Sequence, residues 1–334
     1  MNFIQKFLVL INIVFVFIQL LLMGTIETKI DIAFFSLLAP ISIFFNIVFF
    51  FYWLFNLKWP FLLFIVSFLV GYDEWNLFYK LPNTSIRKSG STFSVMSYNV
   101  RLFNKYKWIA NPDIPNEIEK LIIDENPDII CFQEFSKSTA PELKNYKHRY
   151  IYPDPSKREK ATVAIFSKSK IKSNGFVNFE NSSNCGIYID IEFQNQSIRI
   201  YNLHLESFKL GVNDSITNSS FSENFKLKFE EVNVKQLDQV SYFEEVDKSN
   251  DKLSIIAVDL NNTQFSKTYK KLSRNKNDAF YIAGSGLGET YNYLFLPLRI
   301  DFLLSDKKFK INNFKVIKRK FSDHYPIVSH YGID

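Results

Sequence analysis

The sequence predicts an α/β or α+β domain of about 240 residues, enough for a full hydrophobic core, behind a strongly apolar N-terminal segment. Three observations support this prediction. Residues 1–72 contain almost no charge and consist mainly of long apolar runs. From Thr92 onward, short apolar strands alternate with polar and helical stretches. Polar side chains in this second part occur repeatedly where a strand ends.

The N-terminal segment contains three apolar runs, from Phe3 to Met23, from Ile32 to Phe55 and from Trp59 to Tyr72. About 20 apolar residues are needed to cross the roughly 30 Å hydrocarbon core of a bilayer, and the first two runs reach that length. The third run is shorter and crosses only with little tilt or with local thinning of the bilayer. We therefore predict that residues 1–72 form a membrane domain with two or three transmembrane helices.

A cleaved signal peptide is the competing interpretation of the first apolar run. A second long run follows directly, however, and no small-residue cleavage site separates the two. The sequence thus favours an integral membrane protein with the lipid bilayer as its partner. The flanking Lys and Arg residues lean toward a cytoplasmic C-terminal domain, but a large trailing domain can cross regardless of local charge. The side of the membrane therefore stays open.

A linker is predicted for residues 73–91, where Pro82, Asn83, Ser85 and Gly90 interrupt any regular pattern. The domain that follows covers residues 92–334. Its predicted strands are FSVMSYNV, DIICFQEF, ATVAIFSK, GIYIDIEF, SIRIYNLHLE, KLSIIAVDL, RIDFLLS and YPIVSHY. Helices are predicted at NEIEKLIIDENP and between Glu223 and Val246, from the spacing of their apolar residues.

Charge and cysteine content place weak limits on the partners. The formal net charge is +6 at pH 7, a mild positive balance that suits anionic substrates or a lipid surface. The two cysteines, Cys131 and Cys185, make no disulfide framework and leave the redox compartment undefined. No protein partner is inferred.

Carboxylate, amide and imidazole side chains stand at the ends of five predicted strands. They are Asn99, Glu134, Asn202, His204, Asp259, Asn261 and Asp301. Each one alone is explained as a turn residue, a helix cap or a solvated side chain, and the nearby Arg299 as a surface cation. These explanations do not account for polar side chains at the ends of five different strands. Because burying an unpaired carboxylate costs several kcal/mol, Asp301 within LRIDFLL requires a partner, and a histidine would serve.

If these strand ends converge, they supply the groups needed to hydrolyse a phosphate ester. A carboxylate and an amide, such as Glu134 and Asn99, can bind a hard divalent ion through oxygen. An Asp-x-Asn pair, here Asp259 and Asn261, can orient and activate an attacking water. A histidine held by a carboxylate can stabilise the charge that develops on phosphorus.

The ordered set SYNV, CFQEF, NLHLES, VDLNNT, RIDFLL and SDHYPIV resembles the endonuclease/exonuclease/phosphatase superfamily of metal-dependent phosphoesterases, which includes DNase I and the neutral sphingomyelinases. The resemblance covers about residues 92–331. It implies an α+β fold, a four-layer α/β/β/α sandwich with its site at the mouth between two sheets. In this chain the sandwich would be preceded by N-terminal transmembrane helices.

The resemblance also implies a metal site. Asn99 and Glu134 match the magnesium-site residues, and Asp323 matches a carboxylate expected near the metal, so the implied cofactor is Mg²⁺, with Mn²⁺ as a possible substitute. One departure from the family pattern is plain, because Val258 replaces the usual Gly and Leu260 the usual Phe. Neither change removes a functional group.

The catalytic residues follow from the same resemblance. Asp259 and Asn261 match the Gly-Asp-x-Asn motif, with Asp259 engaging the nucleophilic water. Asp301 matches the carboxylate that orients the catalytic histidine, and His324 matches that histidine. His204 matches a histidine of the DNase I and sphingomyelinase branch, placed to protonate the leaving oxygen.

The leading functional hypothesis is a membrane-anchored, magnesium-dependent phosphodiesterase that hydrolyses nucleic acid or phospholipid, both of which are anionic. One alternative is a phosphomonoesterase acting on a phosphoinositide or sugar phosphate. The other is a catalytically silent binding module, which the retention of all expected side chains disfavours. HLESFKL and VKQLDQV resemble membrane-anchored bacterial members, which implies the bacterial inner membrane.

Two stretches are candidates for contacting the substrate. AGSGLGETYNYLFLPLR has three glycines ahead of aromatic residues and is predicted to be a substrate-facing loop. LFNKYKW, which follows Asn99 closely, comes nearest to the interleaved basic and aromatic residues of a nucleic-acid groove, although a solvated loop explains it as well.

Overall fold

The computed structural model describes residues 1–24, 36, 38–82, 90–153, 162–208, 219–293 and 296–333. Parts of five predictions lie outside these residues: the start of the second apolar run, residues 83–89 of the predicted linker, Ala161 of the predicted strand ATVAIFSK, Lys209 and Leu210 of HLESFKL, and Leu294 and Phe295 of the predicted substrate-facing loop. The α-helices, in chain order, are α1 (Phe3–Leu22), α2 (Ala39–Phe55), α3 (Phe61–Val70), α4 (Tyr72–Phe78), α5 (Ile114–Glu125), α6 (Ser219–Lys248), α7 (Lys267–Ser273) and α8 (Ala279–Ala283).

The apolar N-terminal segment forms helices α1, α2 and α3, which pack against one another. Among the described residues, α1 is the one helix both long and apolar enough to cross a bilayer. Helix α2 has 17 residues and falls short, whereas α3 and α4 meet the test only as a pair bent by 91°. Of the two or three transmembrane helices predicted, the structure therefore supports one by length and composition, or two if the bent pair counts.

The C-terminal part is built mainly from strands. In chain order they are β1 (Phe93–Asn99), β2 (Ile129–Phe135), β3 (His148–Tyr152), β4 (Thr162–Ser167), β5 (Ser173–Asn178), β6 (Cys185–Phe193), β7 (Gln196–His204), β8 (Leu253–Asp259), β9 (Lys276–Asp278), β10 (Tyr291–Tyr293), β11 (Leu296–Leu298), β12 (Asp301–Asp306), β13 (Lys310–Val316) and β14 (Ile327–Gly332). All eight predicted strands are confirmed, as are the two predicted helices, α5 and α6.

Twelve of these strands form two mixed six-stranded sheets. The first sheet has the order β13-β14-β1-β2-β4-β3 and the second the order β5-β6-β7-β8-β12-β9, while β10 and β11 form a separate ribbon. Each sheet contains one parallel pair, β1 with β2 and β7 with β8, and its other pairs are antiparallel. Because parallel strands end at the same edge of a sheet, β1 and β2 end together in the first sheet, and β7 and β8 end together in the second.

The alternation of side chains along each strand produces the layers. The inward positions of both sheets are largely β-branched and form one core, to which Val95 and Ile129 of the first sheet and Ile189 and Ile255 of the second belong. The outward face of the first sheet packs against α5. The outward face of the second packs against α6 and α7. The result is a sandwich of two sheets between two helical layers.

Arg299, expected as a surface cation, is instead buried, with 1% of its surface exposed. Its Nη1 lies 2.7 Å from Asp278 Oδ2, and its guanidinium packs over the rings of Phe280 and Phe302 at 4.5 and 4.7 Å. The planar guanidinium tolerates burial because it pairs with a carboxylate while stacking on aromatic faces. The expectation was wrong because the partner carboxylate is 21 residues away in the chain.

Candidate active site

The polar strand ends predicted to converge lie at one rim of the sandwich. Asn99 ends β1, His204 ends β7 and Asp259 ends β8, all at inward positions of the alternation. Strand β12 starts at this rim, where Asp301 is the register partner of Asp259. Strand β14 also starts there, directly after the segment that carries His324.

Asn99 joins the two sheets across this rim. Its Nδ2 donates to Glu134 Oε1 at 3.2 Å and to Asp259 Oδ2 at 2.8 Å, and its Oδ1 accepts from the backbone N–H of Arg101. Strict alternation would direct Glu134 outward. Instead, the register of β2 shifts between Phe132 and Phe135, and Glu134 takes a left-handed φ of 48°. The bulge thus turns the Glu134 carboxylate into the site.

Asp259 is fully buried and accepts several hydrogen bonds. In addition to the Asn99 amide, the backbone N–H of Asn261 donates to its Oδ1 at 3.0 Å. Asn261 has a φ of 52°, and its Nδ2 donates to the carbonyl of Leu205, which follows β7. The segment after β8 is therefore folded back onto the end of β7. Val258, the departure from the usual Gly, is buried in the core beneath the outer helices and leaves the Asp259 carboxylate in place.

His324 is the partner that burial of Asp301 requires. Its Nδ1 lies 2.9 and 3.1 Å from the two Asp301 oxygens, and its Nε2 lies 3.9 Å from Asp259 Oδ2. Burial lowers the pKa of His324, but the carboxylates of Asp301 and Asp259 outweigh it and raise that pKa to about 10. Burial together with the charge of Asp259 raises the pKa of Asp301, against the pull of His324.

His204 points at the same carboxylate from the second sheet. Its Nε2 lies 3.6 Å from Asp259 Oδ2, beyond hydrogen-bond distance, and is buried with no hydrogen-bond partner. An unpartnered buried imidazole nitrogen is costly, and such atoms concentrate where a substrate or ion completes the network. His204 is therefore placed to act on a group that enters beside Asp259.

Asp323 lies at the outer part of the rim, half-buried. Its Oδ2 is 3.1 Å from Arg101 Nη1, and its Oδ1 accepts from Ser322 Oγ at 3.1 Å. Arg101 in turn lies with its guanidinium 4.4 Å above the Trp108 ring. Sequence reasoning missed Arg101, although its position two residues after Asn99 in the stretch NVRLFNKYKW was the available signal.

Two further residues missed by sequence reasoning hold His324 and its partner Asp301 in position. Thr290 Oγ1 accepts from the backbone N–H groups of Ile300 and Asp301, at 3.0 and 3.1 Å, which fixes the start of β12. The Tyr291 ring packs against the His324 ring, with centroids 4.8 Å apart. Both residues belong to the predicted substrate-facing loop.

The structure brings seven of the eight predicted site residues, all except Asp323, into a single network around Asp259. Ligand atoms of Asp259, Asp301 and His324 lie within 4.8 Å of one another, close enough for one metal ion. This triple differs from the predicted metal set of Asn99, Glu134 and Asp323. Glu134 joins the triple through Asn99, whereas Asp323 is held toward Arg101.

Comparison with known proteins supports the fold and the family. A sequence model of the Endonuclease/Exonuclease/phosphatase family matches residues 96–324, more than half of the chain. This range includes all eight predicted site residues. A search of curated proteins finds no match.

Solved structures share the fold at low sequence identity. An endonuclease/exonuclease/phosphatase family protein from Bacteroides thetaiotaomicron is 16% identical, with a TM-score of 0.59 over 74% of this chain and 100% of that one. A mannosyl-6-phosphatase from the same organism is 17% identical, with a TM-score of 0.56 over 72% and 100%. The human Nocturnin catalytic domain is 14% identical, with a TM-score of 0.55 over 73% and 95%. None of the three matches covers the whole of this chain.

Proposed function

The chain belongs to the endonuclease/exonuclease/phosphatase family of phosphoester hydrolases, and from this premise we propose that it is a membrane-anchored, Mg²⁺-dependent phosphodiesterase acting on nucleic acid or phospholipid. The observation that carries the proposal is the network at one rim of the sandwich, in which Asn99 bonds both Glu134 and Asp259 while Asp301 holds His324. These groups can bind an ion, activate a water and stabilise a phosphorane.

The donor set fits Mg²⁺, or Mn²⁺ in its place. A hard divalent ion takes oxygen ligands and keeps several waters, so it needs carboxylates that solvent can reach. Glu134 and Asp323 are half-buried, whereas Asp301 is buried and engaged by His324. We assign the ion to Glu134, Asp323 and the Oδ1 of Asn99, which accepts one hydrogen bond from the backbone N–H of Arg101 and keeps a second lone pair for a ligand. When bound, the ion neutralises charge on the phosphate oxygens.

The residues around the ion divide the work of hydrolysis. In this mechanism a water oxygen bonds to phosphorus while the bond from phosphorus to the leaving oxygen breaks. Asp259, fixed by the Asn261 N–H, accepts the proton of the attacking water. His324, cationic and oriented by Asp301, stabilises the negative charge on the phosphorane. His204 donates a proton to the leaving oxygen through its unpartnered Nε2.

The first experiment measures hydrolysis of bis(p-nitrophenyl) phosphate by the full chain in detergent. We expect activity with Mg²⁺ or Mn²⁺ and none in excess EDTA. His324→Ala and Glu134→Ala should each lower the rate by roughly 100-fold or more. The first removes the group that stabilises the charge on the phosphorane, and the second removes a ligand of the ion. A matched control is His148→Ala, since His148 starts β3 at the other end of the first sheet. Full activity in EDTA would reject the mechanism.

The second experiment separates substrate classes. We expect the diester to be hydrolysed faster than the monoester p-nitrophenyl phosphate, because the monoester carries a second negative charge that the site carboxylates of Glu134, Asp259 and Asp323 repel. DNA, sphingomyelin and phosphoinositides are then assayed side by side. A strong preference for the monoester or for the phosphoinositides would replace the diesterase assignment by a phosphomonoesterase.

The packing of the N-terminal helices supports membrane anchorage. Their outward surfaces carry large exposed apolar side chains, whereas Asn12, Gln19 and Asn46 are buried between them. Trp53 Nε1 donates to Asn12 Oδ1 at 3.1 Å, and Asn46 Nδ2 donates to Gln19 Oε1 at 2.8 Å. Apolar surfaces outside and hydrogen-bonded polar groups inside are typical of helices packed in lipid. We therefore propose an integral protein, in keeping with the bacterial inner membrane that the sequence implies.

The side of the membrane follows from reporter fusions placed after Tyr72 and at Asp334. The flanking charges lean toward a cytoplasmic catalytic domain, and we expect the fusion at Asp334 to report the cytoplasm. Membrane fractions washed at high salt provide the control for anchorage. Release of the protein by salt alone would contradict an integral anchor.

A further inference from the structure

The N-terminal helices meet the catalytic domain at the segment that leaves the active site. This segment starts at Asn261 and continues into α7. Ser36 Oγ lies 3.0 Å from Thr263 Oγ1, and Phe265, only 4% exposed, is packed in the small core shared by α1, α2 and α4. Lys270 Nζ donates to the carbonyl of Gly24 at 2.6 Å. The C-terminal end of α1 and the N-terminal end of α2 are therefore next to the active-site rim.

The ribbon of β10 and β11 links these helices to the catalytic histidine. Tyr291 at its start packs on the His324 ring, and β11 at its end packs against α2. The ribbon sequence YNYLFLPL contains no charged residue. The described residues of this uncharged ribbon therefore connect one side of the site to the apolar N-terminal helices.

A basic aromatic turn, Arg101–Trp108, flanks the site on the first sheet. Residues 101 to 104 have four successive left-handed φ values, 43°, 55°, 51° and 61°, although none is glycine. Such a backbone is costly and persists only where the surroundings impose it. Here the Asn104 side chain bonds the backbone of Ile109 in both directions, at 2.8 and 2.9 Å. Side-chain hydrogen bonds therefore hold the backbone of this turn in one conformation.

The basic aromatic turn presents its aromatic side chains to the outside. Tyr106 and Trp108 are 65% and 43% exposed, and their rings contact each other at 5.2 Å. Lys105 and Lys107 lie beside them, and Arg101 stacks on Trp108. Exposed Trp and Tyr interleaved with Lys suit the headgroup region of a bilayer, where amphipathic rings and cations are both stabilised. Stacking on nucleic-acid bases is the competing use of such a surface.

Continuity with the helices favours the bilayer. The helix ends, the ribbon and the basic aromatic turn each adjoin the site, through Thr263, Tyr291 and Arg101 respectively, and two of the three contact the apolar N-terminal helices or belong to them. We propose that this rim faces the bilayer in which the protein is anchored, that the basic aromatic turn contacts anionic lipid headgroups, and that the site receives the phosphate ester of a membrane lipid. The contact stands on geometry alone, whereas the substrate class rests on the proposed function.

The test uses the full chain in vesicles of phosphatidylcholine and phosphatidylglycerol that contain an acyl-chain nitroxide lipid. Cys131 and Cys185 are both buried, so a thiol-reactive NBD dye will report on one introduced cysteine. The dye is attached at Tyr106→Cys or, as the matched control, at Ile123→Cys. Ile123 is 57% exposed near the end of α5, which is followed by Asp128, the partner of Ser94 at the opposite rim.

We expect nitroxide quenching at Tyr106→Cys to be at least about threefold stronger than at Ile123→Cys, because an interfacial side chain lies within roughly 5–10 Å of the acyl boundary. Equal quenching at the two positions would overturn the proposal. The proposal would also be overturned if the fluorescence of the dye at Tyr106→Cys were not quenched by the nitroxide lipid but changed with a single-stranded oligonucleotide. That result would assign the turn to nucleic acid.

Hydrolysis by the same vesicles separates this proposal from the proposed function. The double variant Lys105→Glu/Lys107→Glu should release about tenfold less water-soluble phosphate ester from phosphatidylglycerol, since each basic residue adds to attraction by anionic lipid. Its hydrolysis of bis(p-nitrophenyl) phosphate should equal that of the unmodified chain. Quenching without any diester hydrolysis would reject the phosphodiesterase and leave the contact standing. Equal loss on both substrates would reject the lipid role of the turn.

Discussion

The N-terminal helices and the sandwich both bury polar side chains, but they differ in the side chains that face outward. Between the helices, Asn12, Gln19 and Asn46 form a buried network while large apolar side chains face outward. In the sandwich, apolar side chains fill most of the interior, and the buried carboxylates of Asp259 and Asp301 lie together at one rim. The comparison shows that the outward side chains of each region indicate its surroundings, whereas its buried polar side chains indicate its role.

The two networks also differ in how completely they are satisfied. Asn46 Nδ2 donates to Gln19 Oε1 and to the carbonyls of Phe15 and Ser42, and its Oδ1 accepts from Asn12 Nδ2. At the rim of the sandwich, by contrast, His204 Nε2 has no partner, and Glu134 and Asn261 adopt left-handed backbone. A complete network rigidifies a fold, whereas an incomplete and strained one is typical of a functional site.

Asp301→Asn is the strongest test of this contrast. It keeps the shape but removes the charge that orients His324, so we expect kcat to fall by about 100- to 10,000-fold. Stability should fall by only about 1–3 kcal/mol, because cationic His324 loses one carboxylate partner but keeps Asp259 nearby. Initial rates on bis(p-nitrophenyl) phosphate and a urea titration of the same sample measure both. A loss of stability as large as the loss of activity would make Asp301 a structural residue.

Stability against pH should separate the two regions next. The pKa of His324 is raised to about 10, so the folded protein keeps a proton that the unfolded chain releases near pH 6.5. The stabilisation is therefore complete below about pH 6.5 and is lost as pH rises toward 10. Between about pH 6.5 and 8.5 we expect a loss of about 2 kcal/mol in EDTA. Urea titrations at several pH values measure it.

Two controls accompany the pH series. His324→Gln should flatten the dependence in this window, because it removes the titrating group. The buried network between α1 and α2 is built from Asn, Gln and Trp side chains, so the detergent-resistant helix signal should also be flat. A slope that survives His324→Gln would place the titration elsewhere.

Asn46→Leu probes the helical network itself. The substitution removes four hydrogen bonds and leaves Asn12 Nδ2 and Gln19 Oε1 without the Asn46 amide as a partner. We expect the helices to be destabilised by about 1–2 kcal/mol, the range for buried polar contacts between membrane helices. Helix content against SDS concentration measures this change. The rate on bis(p-nitrophenyl) phosphate should be unchanged, and a large loss of rate would show that the helices shape the site.

The sequence predicted the central strands but not the edges of the sheets. All four edge strands, β3, β5, β9 and β13, were missed, as was the ribbon. Central strands are buried on both faces and read as apolar runs, whereas edge strands such as SNGFVN and KINNFKV are short or polar, which protects them from pairing with other chains. Alternation and apolar runs both depend on buried positions, so strands with few buried residues, such as β5 with one, escape them.

The candidate site could be predicted as a set of residues but not as an arrangement. Motif order grouped Asn99, Glu134, Asp259 and His324, because each lies at or next to the end of a predicted strand, and the structure places them at one rim. The turn of Glu134 into the site depends on a bulge and a left-handed residue, which no local pattern signals. Thr290, Tyr291 and Arg101 act through contacts made by the folded chain, and these contacts depend on tertiary structure.

Ser97→Ala tests where supporting polar residues end and reacting ones begin within the sandwich. Ser97 is buried beneath Asn99, and its Oγ accepts from Gln133 Nε2 at 3.1 Å, which also donates to Asn202 Oδ1 at 2.7 Å. This bridge between the sheets resembles the helical network in being structural, because Gln133 keeps Asn202 as a partner after the change. We expect a loss of about 0.5–1 kcal/mol in urea titrations and an unchanged rate. A rate that fell tenfold with Ser97→Ala would show that catalytic polar groups extend below the rim, and the boundary between supporting and reacting residues would then lie deeper between the sheets.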